Sequence, residues 1–286
     1  MTIRSVLVPI SGHPADKVVL ENAFALATKF NAHIAVACMR PDPTEVFRYV
    51  DSWSAPSVLE GAVAAAEAHA QKVSQTSKAM FDRWREKHDL PIVARSSPAT
   101  ATSTSWAEYI GLAGDTLADI ARFSDLVIMQ TLDDKGPIEG DAMLEAVLFD
   151  AGRPVLLVPR KAVDLFGGNA LIAWDGGHEA LSAIVAAIPL IRRAKAVEIL
   201  TVEPHTDTKA ESLAVYLGSH GVTATVQDCV RGSKSIGEVV LREGKRSGAS
   251  LLVMGGYHHG RTRELLFGGT TRRIIATTTT PVLLAR

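Results

Sequence analysis

SVLVPISGHPADKVVLENAFALATKF at residues 5–30 and ALIAWDGGHEALSAIVAAIPLIRRAK at residues 170–195 share one pattern: a short apolar strand, a tight glycine turn, then an amphipathic helix. The likeness continues downstream. DLVIM at 125–129 matches SLLVM at 250–254, and RPVLLVPR at 153–160 matches TPVLLAR at 280–286. One unit therefore occurs twice, with its strand signals in the same order. Apolar runs of four to six residues separated by helix-length stretches are the mark of parallel βαβ units rather than hairpins. The pattern predicts two tandem, doubly wound, Rossmann-like sheets of five parallel strands each.

The first half is read with strands near 4–10, 33–38, 92–97, 125–129 and 154–158, the second with strands near 170–174, 197–202, 223–229, 250–254 and 281–285. Pro159, Gly167 and Gly168 punctuate PRKAVDLFGGN, which places a linker between a first domain at 1–162 and a second at 168–286. The halves differ most after their second strands. In the first, an Ala-rich stretch almost free of helix breakers predicts a helix from Ser57 to His88, with a solvated lid or packing helix as its expected role. Its counterpart, TKAESLAVYLGSHG, is less than half as long.

Ligands of doubly wound sheets sit beyond the carboxyl ends of the strands where the strand order reverses, which selects the loops after the first and fourth strands of each half. In the second half the first of these loops begins at Asp175. Two readings stand for it: an acceptor for an adenine amino group or ribose hydroxyl, or a cap on the next helix with Gly176 and Gly177 turning the chain. The other loop lies in MGGYHHGRTRELLFGGTTRRIIATTTTPVLLAR, residues 254–286. Backbone NH groups of Gly268, Gly269, Thr270 and Thr271, at the start of a helix, form a candidate phosphate cradle. Here too a structural reading stands beside it, in which Thr270 or Thr271 caps the helix. Arg261, Arg263, Arg272 and Arg273 are close enough in sequence to assist a phosphate or to face solvent.

The first half is a worn copy of this site. Ser11 stands where the second half has Asp175, and QTLDDKGPIEGDAMLEA replaces the clustered glycines with Asp133, Asp134, Glu139 and Asp141, which would repel a phosphate.

Composition narrows the remaining classes. A net charge of −1 and a pI near 6.8 give no long-range pull toward nucleic acid or an anionic membrane. No apolar run reaches the roughly 20 residues that span a bilayer, and the N-terminus has no signal-peptide pattern, so a cytoplasmic protein is expected. Cys38 and Cys229 sit far apart in strand-like runs and are read as buried free thiols. Adjacent His258 and His259 have no cysteine at ligand spacing, so no metal site is expected. No P-loop, nucleophile elbow or HExxH motif occurs, and Ser11 and His13 are two residues apart in a turn, so no catalytic set is expected.

With these residues in view, the chain resembles the universal stress protein family in its tandem two-domain form, most closely in the second half. That family's signature after strand four is Gly, two residues, Gly, nine residues, Gly, then Ser or Thr. Read from Gly255 its third place is Gly268, and read from Gly256 its last two places are Gly269 and Thr270; either register puts a histidine, His258 or His259, at the second place. The resemblance implies that Asp175 faces adenine, that Gly255, Gly268, Gly269 and Thr270 surround ribose and phosphates, that Val202 lines the base pocket, and that His258 crowds the phosphate or replaces a lost contact. It implies ATP or a related adenine nucleotide as ligand in the second half and none in the first. It also implies that PVLLVPR and PVLLAR pair within the chain as a pseudo-dimer, with pairing of two chains as a homodimer left open. The expected function is a stress-response regulator whose nucleotide occupancy is read by a protein partner. A protein-interaction module of the same fold without nucleotide is the alternative, and a slow ATPase is the third reading.

Overall fold

The computed structural model describes residues 2–48, 56–94, 101–111, 113–131, 138–161, 164–203, 209–256 and 269–286. The first half contains β1 (Ser5–Ile10), α1 (Asp16–Phe30), β2 (His33–Arg40), a 3-10 turn (Pro43–Arg48), α2 (Pro56–Lys87), β3 (Ser103–Ile110), α3 (Ala113–Ala121), β4 (Leu126–Gln130), α4 (Ile138–Glu145) leading into a π turn (Ala146–Asp150), and β5 (Val155–Val158). The second contains β6 (Asn169–Ala173), α5 (His178–Ile191), β7 (Val197–Val202), α6 (Ala210–Ser219), β8 (Ala224–Cys229), α7 (Ile236–Arg246), β9 (Ala249–Gly255), α8 (Gly269–Thr277) and β10 (Val282–Ala285).

The strands form one ten-stranded sheet in the order β3-β2-β1-β4-β5-β10-β9-β6-β7-β8. Every neighbouring pair is parallel except β5 and β10, which pair antiparallel with Leu156 opposite Leu283. That pair joins two doubly wound five-stranded sheets across a pseudo-two-fold axis, as the family resemblance implies for PVLLVPR and PVLLAR. Right-handed crossovers then place α1, α2, α5 and α6 on one face and α3, α4, α7 and α8 on the other. The central strands β4, β5, β9 and β10 are covered on both sides and are buried almost throughout, which is why they read as unbroken apolar runs.

Nine of the ten strands fall where the sequence predicts them. The third does not: it is Ser103–Ile110, not 92–97. As an edge strand, STSWAEYI is exposed along part of its length and opens on three polar residues, whereas PIVA is the more continuous apolar run. Ile92 makes only an isolated bridge to Thr104 on the outer edge of β3.

Helix α2 follows the predicted span to within about one residue at each end. Its apolar stripe, Ala70, Val73, Met80, Phe81 and Trp84, occupies only the C-terminal half and packs on the first half of the sheet, while residues 57–69 are mostly exposed. Phe81 is fully buried, with its ring centroid 6.1 Å from Trp84 and 5.1 Å from Trp106.

Candidate functional site

In the second half the strand order reverses between β6 and β9, so parallel pairing brings the carboxyl ends of β6, β7 and β9 to one side of the sheet. Helices α5 and α8 begin at that same side. The structure thus gathers Asp175, Gly176, Val202 and Gly255 with Gly269, Thr270 and Thr271 at one end of the half. His258 and Gly268 lie outside the described residues, as do His259, Arg261 and Arg263.

Asp175 is exposed, and its Oδ1 accepts a hydrogen bond from the Gly177 NH at 2.9 Å. This Asx-type contact holds the turn that precedes α5, with Gly176 in the left-handed region at φ +84°. The helix cap itself is Gly177, which makes no side-chain cap, so the helix-capping reading of Asp175 is corrected: the carboxylate shapes the turn rather than the helix end.

Gly255 ends β9 against the start of α5. A Cβ built on it would lie 2.6 Å from the Ala180 nitrogen, a contact that backbone cannot relieve, so packing alone demands glycine there. The next residue is tied to the domain junction: the Gly256 NH donates to the Ala285 carbonyl at 2.9 Å, and its Cβ position would be 3.6 Å from Leu148 Cδ1. Val202 is half-buried in the core of the second face beside Cys229.

On α8, Thr271 is buried with Ile274 and Ile275, while Gly269 is exposed. Arg273 donates to Glu238 of α7 at 2.9 Å, and Arg272 lies near Asp141 of α4 across the domain junction. Burial raises the Asp141 carboxyl above its ordinary range and Arg272 partly offsets the rise. Both arginines of the basic helix therefore have carboxylate neighbours.

The matching end of the first half is closed, and sequence reading missed how. Ser11 and Gly12, the latter at φ +80°, form the turn equivalent to Asp175 and Gly176. The carboxylate of Asp16, in the first turn of α1, reaches back into this turn and accepts from the Ser11 NH at 2.9 Å, with the Gly12 and His13 NH groups also bonded to it. The chain's own carboxylate thus takes up the NH groups of this turn. Helix α2 lies over the turn: a Cβ on Gly12 would sit 3.1 Å from Ser77 Oγ and 3.3 Å from both Thr76 Cβ and the Val73 carbonyl oxygen. One helical turn away, Ser74 Oγ donates to Glu108 at 2.9 Å. Ser74, Thr76 and Ser77 interrupt an Ala-rich helix, and this small polar run was the sequence signal for a helix laid on a backbone turn.

Burial pushes the Asp16 carboxyl up to about 6 from an ordinary 3.8, against the pull of the turn's NH groups. Because the folded value is raised, the native state holds the proton more tightly than the unfolded chain. That contribution is complete below about pH 4 and is lost as pH rises through about 6. Asp16→Asn, which keeps an acceptor for the turn without the buried charge, is expected to be more stable than the parent at neutral pH by roughly 1–3 kcal/mol, with the gap closing in acid. Urea midpoints of both proteins across that range measure this; parallel pH profiles would refute it.

Among the described residues no helix is long and apolar enough to cross a membrane, and no three His, Cys, Asp or Glu residues are grouped to hold a metal. Cys38 is buried and free, as expected; Cys229 is also free but only half-buried.

The sequence profile of the universal stress protein family matches residues 219–286, which run from the end of α6 through β10. No curated protein matches the chain. Solved structures share its fold. A universal stress protein from Archaeoglobus fulgidus DSM 4304 is 15% identical with a TM-score of 0.65, over 99% of this chain and 96% of that one. A protein from Pseudomonas aeruginosa UCBPP-PA14 described as a universal stress protein is 18% identical with a TM-score of 0.59, over 99% and 93%. The cytoplasmic domain of a prokaryotic cation chloride cotransporter is 11% identical with a TM-score of 0.52, over 99% and 95%. The family profile of universal stress proteins thus matches the C-terminal part of the second half, residues 219–286, and over its whole length the chain has the fold of these solved structures, its two halves side by side.

Proposed function

We propose that the chain is a stress-response regulator of the cytoplasm whose second domain, residues 168–286, holds ATP or a related adenine nucleotide, while the first, residues 1–162, holds none. The contrast between the two pseudo-equivalent turns carries this reading. In the first half Asp16 fills the turn beneath α2; in the second, the position equivalent to Asp16 is Ala180, and Asp175 and Gly176 are exposed. Asp175 would meet the base or ribose, Val202 the base, and NH groups of Gly268, Gly269, Thr270 and Thr271 the phosphates, with His258 beside them. A protein partner would read the occupied state.

Calorimetric titration with ATP, beside mass spectrometry of small molecules released on denaturation, tests the proposal. About one adenine nucleotide per chain is expected. Asp175→Ala should weaken binding by about tenfold or more while changing stability by no more than about 1 kcal/mol. No release and no binding at millimolar ATP would overturn it.

The second reading, an interaction module without nucleotide, is favoured by Gly255 and Gly256, whose lack of a side chain is accounted for by contacts to Ala180, Ala285 and Leu148.

A further inference from the structure

We propose that the second face of the first half carries a binding pocket for a small uncharged molecule, with an apolar body and one hydrogen-bonding group, remote from the strand ends discussed above. A cavity of about 390 Å³ lies over β1, β2 and β3, walled by Leu7, Ala35, Ala37, Ser105, Ala107 and Tyr109, with Val93 at its side. Its volume falls within the range of small-ligand sites, roughly 300–1,000 Å³.

The second half shows what ordinarily fills this place. With Gly12 set against Gly176, the strand registers put Glu198, Leu200, Thr225 and Gln227 at the positions of Ala35, Ala37, Ser105 and Ala107. There α7 sends down Glu243, which accepts from Gln227 Nε2 at 3.2 Å, and Arg246, which approaches Glu198 at 3.8 Å. Long side chains and a covering helix close the space. In the first half the same four positions are small, and α3, packed against α4, the π turn and β3, sends down Leu117 and Ala121 rather than long charged side chains. Small residues on the sheet, under a helix whose inward side chains are shorter, leave the hollow.

The cavity has a polar end. His33 is buried at 4% exposure, with Nδ1 3.0 Å from Ser103 Oγ and Nε2 2.9 Å from Ser105 Oγ. In either tautomer the imidazole satisfies one valence of the Ser105 hydroxyl, and that hydroxyl, at the cavity wall, keeps another for a ligand. No charged side chain lines the cavity among the described residues. A ligand bearing a charge would lose hydration without a partner, so the pocket selects neutral molecules.

Indole serves as the probe, being uncharged with an apolar ring and one N–H donor, and indole-3-acetate is its charged match. Titration of the full chain, followed by amide NMR, is expected to give saturable shifts with indole at residues 35–37 and 105–109, and none there with indole-3-acetate. Ser105→Val should weaken indole binding about fivefold to tenfold, and Ala107→Phe, which fills the hollow, should abolish it while leaving the remaining spectrum in place. Absence of saturable shifts at those residues in the parent protein at millimolar indole would overturn the proposal whatever the variants do. Equal binding of indole-3-acetate, or undiminished binding by folded Ala107→Phe, would overturn it as well.

Discussion

Phe81→Ala is expected to destabilise the first half by about 3–5 kcal/mol and to lower its melting temperature by roughly 10 °C, the largest effect of any single side-chain truncation proposed for this chain. The ring has no solvent exposure and sits between Trp84 and Trp106, with Lys78 Nζ 5.7 Å from its centroid. Truncation removes apolar area and leaves a cavity between a helix and a sheet that cannot collapse onto each other without moving both. Since the apolar stripe of α2 is confined to residues 70–84, loss of its central anchor should also loosen the helix from the Gly12 turn that it covers. Thermal denaturation followed by circular dichroism measures the first effect. Hydrogen exchange over residues 70–87 measures the second. A variant that melts within a few degrees of the parent would show that α2 is held chiefly elsewhere.

Gly255→Ala is expected to cost roughly 2–4 kcal/mol, because the added methyl would lie 2.6 Å from the Ala180 nitrogen and 3.0 Å from the Glu179 carbonyl carbon. Its φ is not in the left-handed region, so the penalty is one of contact alone: β9 and the first turn of α5 must part. Gly269→Ala is the matched comparison. Among the described residues nothing lies within 4 Å of a Cβ at Gly269, and alanine in the first turn of α8 should leave stability within about 1 kcal/mol of the parent or slightly raise it. The pair separates two roles for signature glycines. If Gly255 serves packing, its variant loses melting temperature whether or not ATP is present. An unchanged melting temperature with lost ATP affinity would mean that the glycine is kept for the ligand.

Much of this architecture was legible because the elements at the centre of the sheet obey strong local rules. Buried parallel strands must be apolar on both faces, so VLVPI, LVIMQ, VLLV and LLVM declare themselves, and repetition of the unit declares the tandem form. The long helix was legible for the complementary reason: in its thirty-two residues proline stands only at the first position and glycine only once, and so Ala-rich a run can hardly be anything else. At the edge of the sheet the same rules weaken. β3 is exposed along part of its length and its sequence resembles a polar loop, so the more apolar PIVA drew the assignment.

The candidate site was legible only in part. Sequence spacing brought Asp175 and Gly255 to the ends of adjacent strands, since that follows from strand order. It left undecided whether Asp175 capped the helix, and the answer came from its hydrogen bond to Gly177 and the helix cap at Gly177. It also gave no hint that the Asp16 carboxylate folds back into the turn of the first half, because Asp16 is an unremarkable first-turn residue until burial beneath α2 is known.

The succession of strands and the two doubly wound halves were written in the sequence, as periodicity and apolarity act between near neighbours and survive in one dimension, while the pairing through β5 and β10 was expected only from the family resemblance. What α2 covers, which backbone Gly255 touches, where Arg272 and Arg273 find their carboxylates, and the hollow left by Ala35, Ala37 and Ala107 were decided only in three dimensions. Each depends on contact between segments far apart in the chain, and close packing turns on ångström differences that no residue pattern records.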